Sequence, residues 1–325
     1  MVDYIHCWST RAETKKSKLT RMIGISSSKY YNWKDRYGMA NERSARVPRD
    51  FWLEKWEREA IVGYCKIHKE EGYRRPTYMM LDADIVAVGP GSVYRVLKNA
   101  GYLTQWNVKS TKKGTGFVQP LRAHEEWHVD IGYINISGTF YCLCSLPDGY
   151  SRYIAHWEIR EKMTEADIEI VIQRALERNQ GVKPKIISDN GPQFIAKDFK
   201  GFIRLNGMGH VRTSPYYPQS NGRIERWHQS IKRECTRKNV PLSKKDAERL
   251  IANYVERYNN ERLHGAIGYI APKDKLMGWE KMIFATRDKK LEEAGEQRKK
   301  RRVEARESSD SKFLVPFSGI FNRLS

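Results

Sequence analysis

The stretch EWHVDIGYI, residues 126–134, is where the sequence becomes strand-like. Its Trp, Val, Ile and Tyr residues are typical of a strand, and two similar runs, 139–146 and 152–159, follow after short turns. We therefore predict three sequential antiparallel strands. Asp130 lies in the middle of the first, where strand propensity disfavours a carboxylate, so we expect a functional role to compensate for it.

Helix-like and strand-like segments alternate after these three strands. Thr164, followed by Asp167 three residues later, predicts a capped start for the first of the helices. The predicted elements are a helix over 164–179, a strand over 185–188, a helix near 196–205, a strand near 210–214 and a long helix from about 221. This pattern predicts an α/β core, in which a mixed sheet is flanked by helices.

Residues 1–45 are predicted to form a small all-α helix-turn-helix module. Leu19, Met22 and Ile23 are placed on its core face, Gly24 breaks the first helix and Ser26 caps the second. The basic residues of the second helix are candidate DNA contacts, namely Lys29, Lys34 and Arg36. A helical hairpin that serves only packing is the alternative interpretation.

Residues 50–103 are predicted to form a second helical DNA-binding module, with Arg74 and Arg75 as candidate DNA contacts. Pro90 is placed at the start of its last helix and Gly101 at its end. The remaining predicted segments are a basic linker over 104–122, the catalytic core over 123–280 and a basic C-terminal tail over 281–325. The tail contains the run Arg298–Arg302, which is interpreted either as disordered and solvated or as a DNA-tethering arm.

The overall charge indicates a polyanionic partner. The 325 residues carry a formal net charge of +20 and a pI near 9.7, which favours nucleic acid. Five irregularly spaced cysteines argue against a disulfide framework, and Cys142 and Cys144 are interpreted as core residues. Because no run resembles a membrane helix or a secretory signal, we expect a cytoplasmic protein that does not contact a membrane.

Three acidic residues are the candidate catalytic group: Asp130, Asp189 and Glu225. Asp189 follows an apolar strand, at the sheet edge where α/β folds bind ligands, and Glu225 lies one turn into the long helix. Each acid alone is weak evidence, but 58 residues separate the first two and 35 separate the last two. His128 and His228 lie beside these acids and are interpreted as supporting or core residues.

Several passages together resemble the DDE transposase and retroviral-integrase superfamily. Within it, the chain looks most like the downstream-frame product of bacterial insertion-sequence transposases of the insertion-sequence-three type. The second acidic motif is Ser188–Phe194, and the third is the passage from Ser214 to Lys232. A signature after the core matches at Tyr258, Asn259, Arg262, His264 and Pro272, and the segment from Gly72 to Leu103 is similar to the helix-turn-helix that precedes the core in this family.

The resemblance implies a ribonuclease-H-like core with Asp130, Asp189 and Glu225 as metal ligands and Lys232 as a DNA contact. Tyr216 and Asn221, in the loop before the long helix, are further candidate DNA contacts. The sequence has no leucine-zipper heptad, which upstream-frame products of this family carry. The protein could therefore act alone, or together with an upstream-frame protein or as a fusion with it. Helix periodicity places Lys232 within about 20° of Glu225, and Ile224, Trp227, Ile231 and Cys235 on a stripe that packs on the sheet.

The residue types suit metal-dependent chemistry on DNA. A pair of Mg²⁺ or Mn²⁺ ions about 3.5 to 4 Å apart activates an oxygen nucleophile and stabilises the leaving oxygen, and Mg²⁺ prefers carboxylate ligands. We therefore expect a transposase that binds element ends and target DNA as a homo-oligomer, cleaves a strand and transfers its 3′-hydroxyl. The alternatives are a nuclease of the same fold and an inactive DNA-binding regulator.

Overall fold

The computed structural model describes residues 1–35, 37, 52–103, 119–213 and 222–313, with side chains up to residue 305. The chain divides into two compact units, Met1–Trp52 and Leu53–Ser325. No helix in the described ranges is both long enough and apolar enough to cross a lipid bilayer.

The described part of the first unit is helical. Its helices are α1, Val2–Arg11; α2, Lys16–Met22; and α3, Ser27–Asp35. Gly24 follows α2 with a φ of 75°, and Ser26 Oγ accepts a hydrogen bond from the Lys29 N–H at 3.4 Å, so the predicted break and cap are confirmed. The predicted core face is wrong for Met22 and Ile23, which are exposed. The buried side chains are instead those of Ile5, Thr20 and Tyr30.

The second unit begins with a helical segment that spans residues 53–103. Its helices are α4, Lys55–Ile67; α5, Arg74–Asp82; and α6, Pro90–Asn99, with a 3₁₀ turn at Lys69–Glu71. Ile61, Met80 and Val93 are fully buried where these helices meet. Pro90 is the first residue of α6, and Gly101 follows the helix with a φ of 73°, as predicted.

The sheet of the core is mixed. Its strands are β1, Glu126–His128; β2, Asp130–Ile136; β3, Thr139–Pro147; β4, Ile154–Arg160; β5, Lys185–Ser188; and β6, Gly209–Arg212. Strands β2, β3 and β4 are antiparallel neighbours, as predicted, whereas β1, β5 and β6 are parallel. The prediction of one strand over 126–134 with Asp130 in its middle is wrong, because the stretch divides at Val129 into β1, which pairs with β5, and β2, which begins at Asp130. Val129 joins β1 to β2, and its N–H donates to the Ile187 oxygen of β5 at 2.9 Å. The two sets of strands therefore meet at Val129.

Helices cover both faces of this sheet. They are α7, Glu165–Arg178; α8, Pro192–Ile195; α9, Lys197–Leu205; α10, Gly222–Ile231; α11, Lys244–Asn260; and α12, Pro272–Leu276. Helices α7 and α9 pack on the cluster that contains Trp127 and Ile186, while α10 and α11 pack on the cluster that contains Leu143 and Ile159. The predicted Thr164 capping box of α7 is present. The predicted α/β fold class, a mixed sheet flanked by helices, is confirmed.

The structure changes the interpretation of the basic C-terminal segment. Residues Glu280–Phe313 form one helix, α13, instead of a disordered tail. The Arg298 side chain is 7% exposed and donates to both carboxylate oxygens of Glu57 at 2.9 and 3.1 Å. Arg287 binds Asp82 in the same way, at 2.8 and 2.6 Å. Helix α13 therefore packs along the 53–103 helices, because these non-local ion pairs hold it there.

Candidate active site

Strand register brings the first two candidate acids together. Trp127 pairs with Ile186 and His128 with Ile187 in the parallel β1–β5 ladder. Continuing this register by two residues places Asp130 opposite Asp189 on neighbouring strands, which lie about 4.8 Å apart in a sheet. Asp189 directly follows β5, at the carboxyl end where open α/β sheets bind ligands.

Local backbone hydrogen bonds fix one oxygen of each aspartate. The Ile131 N–H donates to Asp130 Oδ1 at 2.8 Å, and the Gly191 N–H donates to Asp189 Oδ1 at 2.9 Å. A Cβ at position 191 would lie 3.0 Å from Asp189 Oδ1, so the glycine permits this tight turn. The Asn190 amide donates to the Thr213 oxygen at 2.8 Å and ties the same turn to the end of β6.

The other two acids and Lys232 act electrostatically on Asp130. Burial raises the pKa of the Asp130 carboxyl above its usual value, and the carboxylates of Asp189 and Glu225 raise it further. The Lys232 ammonium lowers the pKa of the same carboxyl. Among the residues that the structure describes, no three His, Cys, Asp or Glu side chains converge closely enough to hold a metal ion as they stand.

Helix α10 presents Glu225 by packing its opposite side on the sheet. The predicted apolar stripe is confirmed, because Ile224, Trp227, Ile231 and Cys235 are at most 2% exposed. Trp227 Nε1 donates to Ser145 Oγ at 2.8 Å and so anchors the helix to β3. The helix continues beyond Ile231 as a π-helical turn, Lys232–Thr236.

His128 and His228 are buried neutral residues. Burial, together with the Arg223 guanidinium, lowers the pKa of His128 to about 3, and burial with the Lys232 ammonium lowers that of His228 to about 4. The His228 ring lies against Gly132, where a Cβ would be only 2.3 Å from Nδ1. Their interpretation as supporting or core residues is confirmed by this burial.

Two protein-family models match the part of the chain that contains the three acids. Residues 120–218 match a family described as integrase core domain, and residues 206–272 match a second family of the same description. Residues 120–272 are therefore similar to an integrase core domain, over less than half of the chain. This stretch includes all three acids and the signature passage from Tyr258 to Pro272.

Insertion-sequence proteins are similar to much of the chain. A transposase for insertion sequence element IS629 from Shigella sonnei is 22% identical over 264 residues, which cover 78% of this chain and 88% of that protein. An uncharacterized 39.2 kDa protein of insertion element IS476 from Xanthomonas euvesicatoria is 24% identical over 217 residues, and the match spans 65% of this chain and 62% of that protein. Transposase InsF for insertion sequence IS3A of Escherichia coli K12 is 24% identical over 152 residues, which cover 46% of this chain and 53% of that protein.

Two solved integrase structures are also similar to the chain, with TM-scores below 0.5. The simian T-cell lymphotropic virus intasome in complex with PP2A regulatory subunit B56 gamma gives a TM-score of 0.45 at 16% identity, and covers 67% of this chain and 74% of that chain. The HTLV-2 integrase catalytic core domain in complex with magnesium gives a TM-score of 0.39 at 20% identity, and covers 48% of this chain and 97% of that chain.

The signature passage from Tyr258 to Pro272 has a structural explanation. The Asn259 side chain accepts from the Ile154 N–H at 2.9 Å and donates to the Ile154 oxygen at 3.2 Å, which joins α11 to β4. Arg262 donates to both carboxylate oxygens of Glu234 at 2.7 Å, and Tyr254 donates to the same carboxylate at 3.1 Å. Sequence reasoning missed Glu234, because nothing local distinguishes it from a solvated helix residue.

The other predicted DNA contacts are dispersed. Lys29 and Lys34 are exposed on α3, and the Lys29 ammonium lies 5.1 Å from the centre of the Trp33 ring. Arg74 is exposed and donates to the Tyr73 hydroxyl, whereas Arg75 forms an ion pair with Glu71 and lines a cavity beside α10. The remaining predicted contacts lie outside the described residues: Arg36, Tyr216 and Asn221.

Proposed function

We propose that this protein is a transposase, which cleaves DNA at the ends of a mobile element and transfers the freed 3′-hydroxyl to target DNA. The supporting observation is the strand register that sets Asp130 opposite Asp189 within an integrase core, with Glu225 close enough to raise the pKa of Asp130. These three acids are the proposed catalytic residues. Lys232 is the proposed contact to the DNA phosphate near them.

The donor set fits Mg²⁺ or Mn²⁺, as a pair of ions. Carboxylate oxygens are the ligands these cations prefer, and a bound cation would stabilise the charged form of Asp130, whose pKa burial and the two neighbouring carboxylates raise. Bound metal would supply activation of an oxygen nucleophile and stabilisation of the leaving oxygen. The chain itself orients Asp130 and Asp189 through the N–H groups of Ile131 and Gly191. The neutral imidazole of His228 adds no charge beside them.

Replacing each acid by its amide tests the proposal. Asp130→Asn, Asp189→Asn and Glu225→Gln should each reduce cleavage and joining by about a hundredfold or more, because each removes a metal ligand, yet leave binding to element ends intact. Asp198→Asn, an exposed acid on α9, is the matched control and should retain activity. Joining is measured on labelled duplexes that carry the element end. Activity above a tenth of wild type in all three variants would reject the assignment.

Two further functions make different predictions. A nuclease of the same fold would release cleaved DNA without any strand-transfer product, and an inactive regulator would bind DNA without cleaving it in Mg²⁺. The three acids of the integrase core favour an active enzyme over the regulator.

The proposed partners are element ends and target duplexes, bound by a homo-oligomer in the bacterial cytoplasm at the nucleoid, either alone or with an upstream-frame protein. Deletion of residues 1–40 should reduce discrimination between end and random DNA, because contacts to base edges carry sequence information. If the deletion leaves the discrimination between end and random DNA unchanged, recognition of element ends would be assigned to the 53–103 helices instead.

A further inference from the structure

Helix α10 and the π-helical turn after it carry a row of arginines that the catalytic proposal does not use. Arg223, Arg226, Arg233 and Arg237 recur at intervals of three, seven and four residues, the spacing that places side chains on one side of a helix. The row extends for about 20 Å along the helix axis. It lies roughly 120° around the helix from Glu225, on a side distinct from the buried stripe, whereas Lys232 lines the same cavity as Arg226, Arg233 and Arg237.

This arginine row lines two adjoining cavities, here called the basic cleft. The first has a volume of about 700 Å³ and is lined by Arg226, Arg233 and Arg237 together with Arg75 of α5. The second has a volume of about 410 Å³ and is lined by Arg223, Arg226 and Arg152. Arg226, His264 and Ala266 belong to both, so the cavities are continuous along one side of the helix.

Acidic neighbours balance only part of the positive charge in the basic cleft. Glu126 pairs with Arg223, Glu234 with Arg233 and Arg262, and Glu71 with Arg75, while Asp148 lines the second cavity. Within the described ranges, Arg152, Arg226 and Arg237 form no ion pair. Burial and then neighbouring guanidinium groups lower the pKa values of Arg75 and Arg152 to about 10 each. The basic cleft therefore has an unfavourable excess of positive charge until an anion binds.

Several guanidinium donors in the basic cleft are also left without an acceptor. Arg75 Nε and both Nε and Nη1 of Arg152 are buried and have no hydrogen-bond partner among the described residues. Each such donor has given up its hydrogen bonds to water without gaining an acceptor, which is unfavourable. Arg152 further adopts a φ of 68°, in the left-handed region that disfavours residues with a side chain. Anionic oxygens would satisfy these planar, fork-shaped donors, because their geometry matches a phosphate.

We propose that the basic cleft binds the phosphodiester backbone of duplex DNA, at phosphates that continue along the backbone from the one that Lys232 contacts beside the three acids. One isolated phosphate requires one or two arginines, whereas a row that extends about 20 Å fits a linear polyanion. The inference rests on the proposed function, because DNA is the substrate of that reaction. It adds a DNA-binding surface that joins α5 of the 53–103 helices to the integrase core.

Salt dependence of binding tests the basic cleft directly. Arg226→Ala with Arg237→Ala removes two exposed guanidinium groups from it, and both variants should fold because neither side chain is buried. The control, Arg204→Ala with Arg249→Ala, removes the same charge from exposed positions on α9 and α11 outside both cavities. The full chain is titrated against a fluorescent random duplex of about 30 base pairs, in EDTA, from about 50 to 200 mM NaCl.

The cleft variant should show a slope of log affinity against log salt that is shallower by about two, because each lost phosphate contact removes about 0.9. The control should keep the wild-type slope to within about 0.5. An unchanged slope in the cleft variant, or an equal change in the control, would overturn the proposal. Joining in Mg²⁺ is measured in parallel, so failure of wild-type joining rejects the transposase function, while the slopes alone decide the DNA-binding cleft.

Discussion

Replacing Arg262 by alanine removes the partner of a buried carboxylate. The Arg262 and Glu234 side chains are 8% and 10% exposed, and two hydrogen bonds of 2.7 Å join them. Burial alone would raise the pKa of Glu234, but the hydrogen bonds and charge of Arg262 reverse this and bring it to about 2, from a usual value of 4.5. A shift of that size corresponds to about 3 kcal/mol of stability at neutral pH.

The sign of the pH dependence follows from this lowered pKa. The folded state favours the carboxylate, so the stabilisation is complete above the unfolded pKa of 4.5 and is lost as pH falls towards 2. Urea unfolding of Arg262→Ala should therefore show a loss of about 3 kcal/mol at pH 7 and about half of that at pH 3. The surface pair Arg249–Asp246 is the control, and Arg249→Ala should cost at most about 1 kcal/mol. A loss under 1 kcal/mol for Arg262→Ala, or an equal loss at both pH values, would refute the reasoning.

Three further perturbations test other contacts. Gly132→Ala should cost about 1 to 3 kcal/mol of unfolding free energy, because its Cβ would clash with His228, and adding His228→Ala should recover part of that loss in a double-mutant cycle. Arg298→Ala should cost about 3 to 5 kcal/mol, because it leaves Glu57 buried and unpaired, and increased protease cleavage within α13 should report the detachment of that helix. Mg²⁺ or Mn²⁺ should support joining while Ca²⁺ does not, and full joining in EDTA would contradict the metal-dependent mechanism.

Local sequence patterns predicted the elements that set up the candidate site. Alternation identified the strands around Asp130, and the Thr164 capping box identified the start of α7. The apolar stripe that includes Trp227 predicted which side of α10 packs on the sheet. These predictions succeeded because strand period, helix period and capping depend on residues close in sequence.

Features that depend on distant residues could not be predicted in this way. Helix α13 is held by Glu57 and Asp82, more than two hundred residues earlier in the chain, so its basic run alone gave no indication of packing. The first unit likewise buries Ile5 of α1 in place of Met22, because a helix outside the predicted hairpin supplies part of its core. Non-local partners, rather than weak local propensity, account for both differences.

Helix α10 carries both Glu225 of the candidate active site and the arginine row of the basic cleft, on different sides. Any displacement of the helix therefore moves both together. Trp227 anchors it to Ser145, and the π-helical turn is held through Glu234 by Arg262. Arg262 also lines the first cavity of the basic cleft, so Arg262→Ala should weaken joining and flatten the salt slope by more than the roughly 0.9 that one lost phosphate contact explains. Loss of joining with an unchanged salt slope would instead show that the acids and the basic cleft move independently.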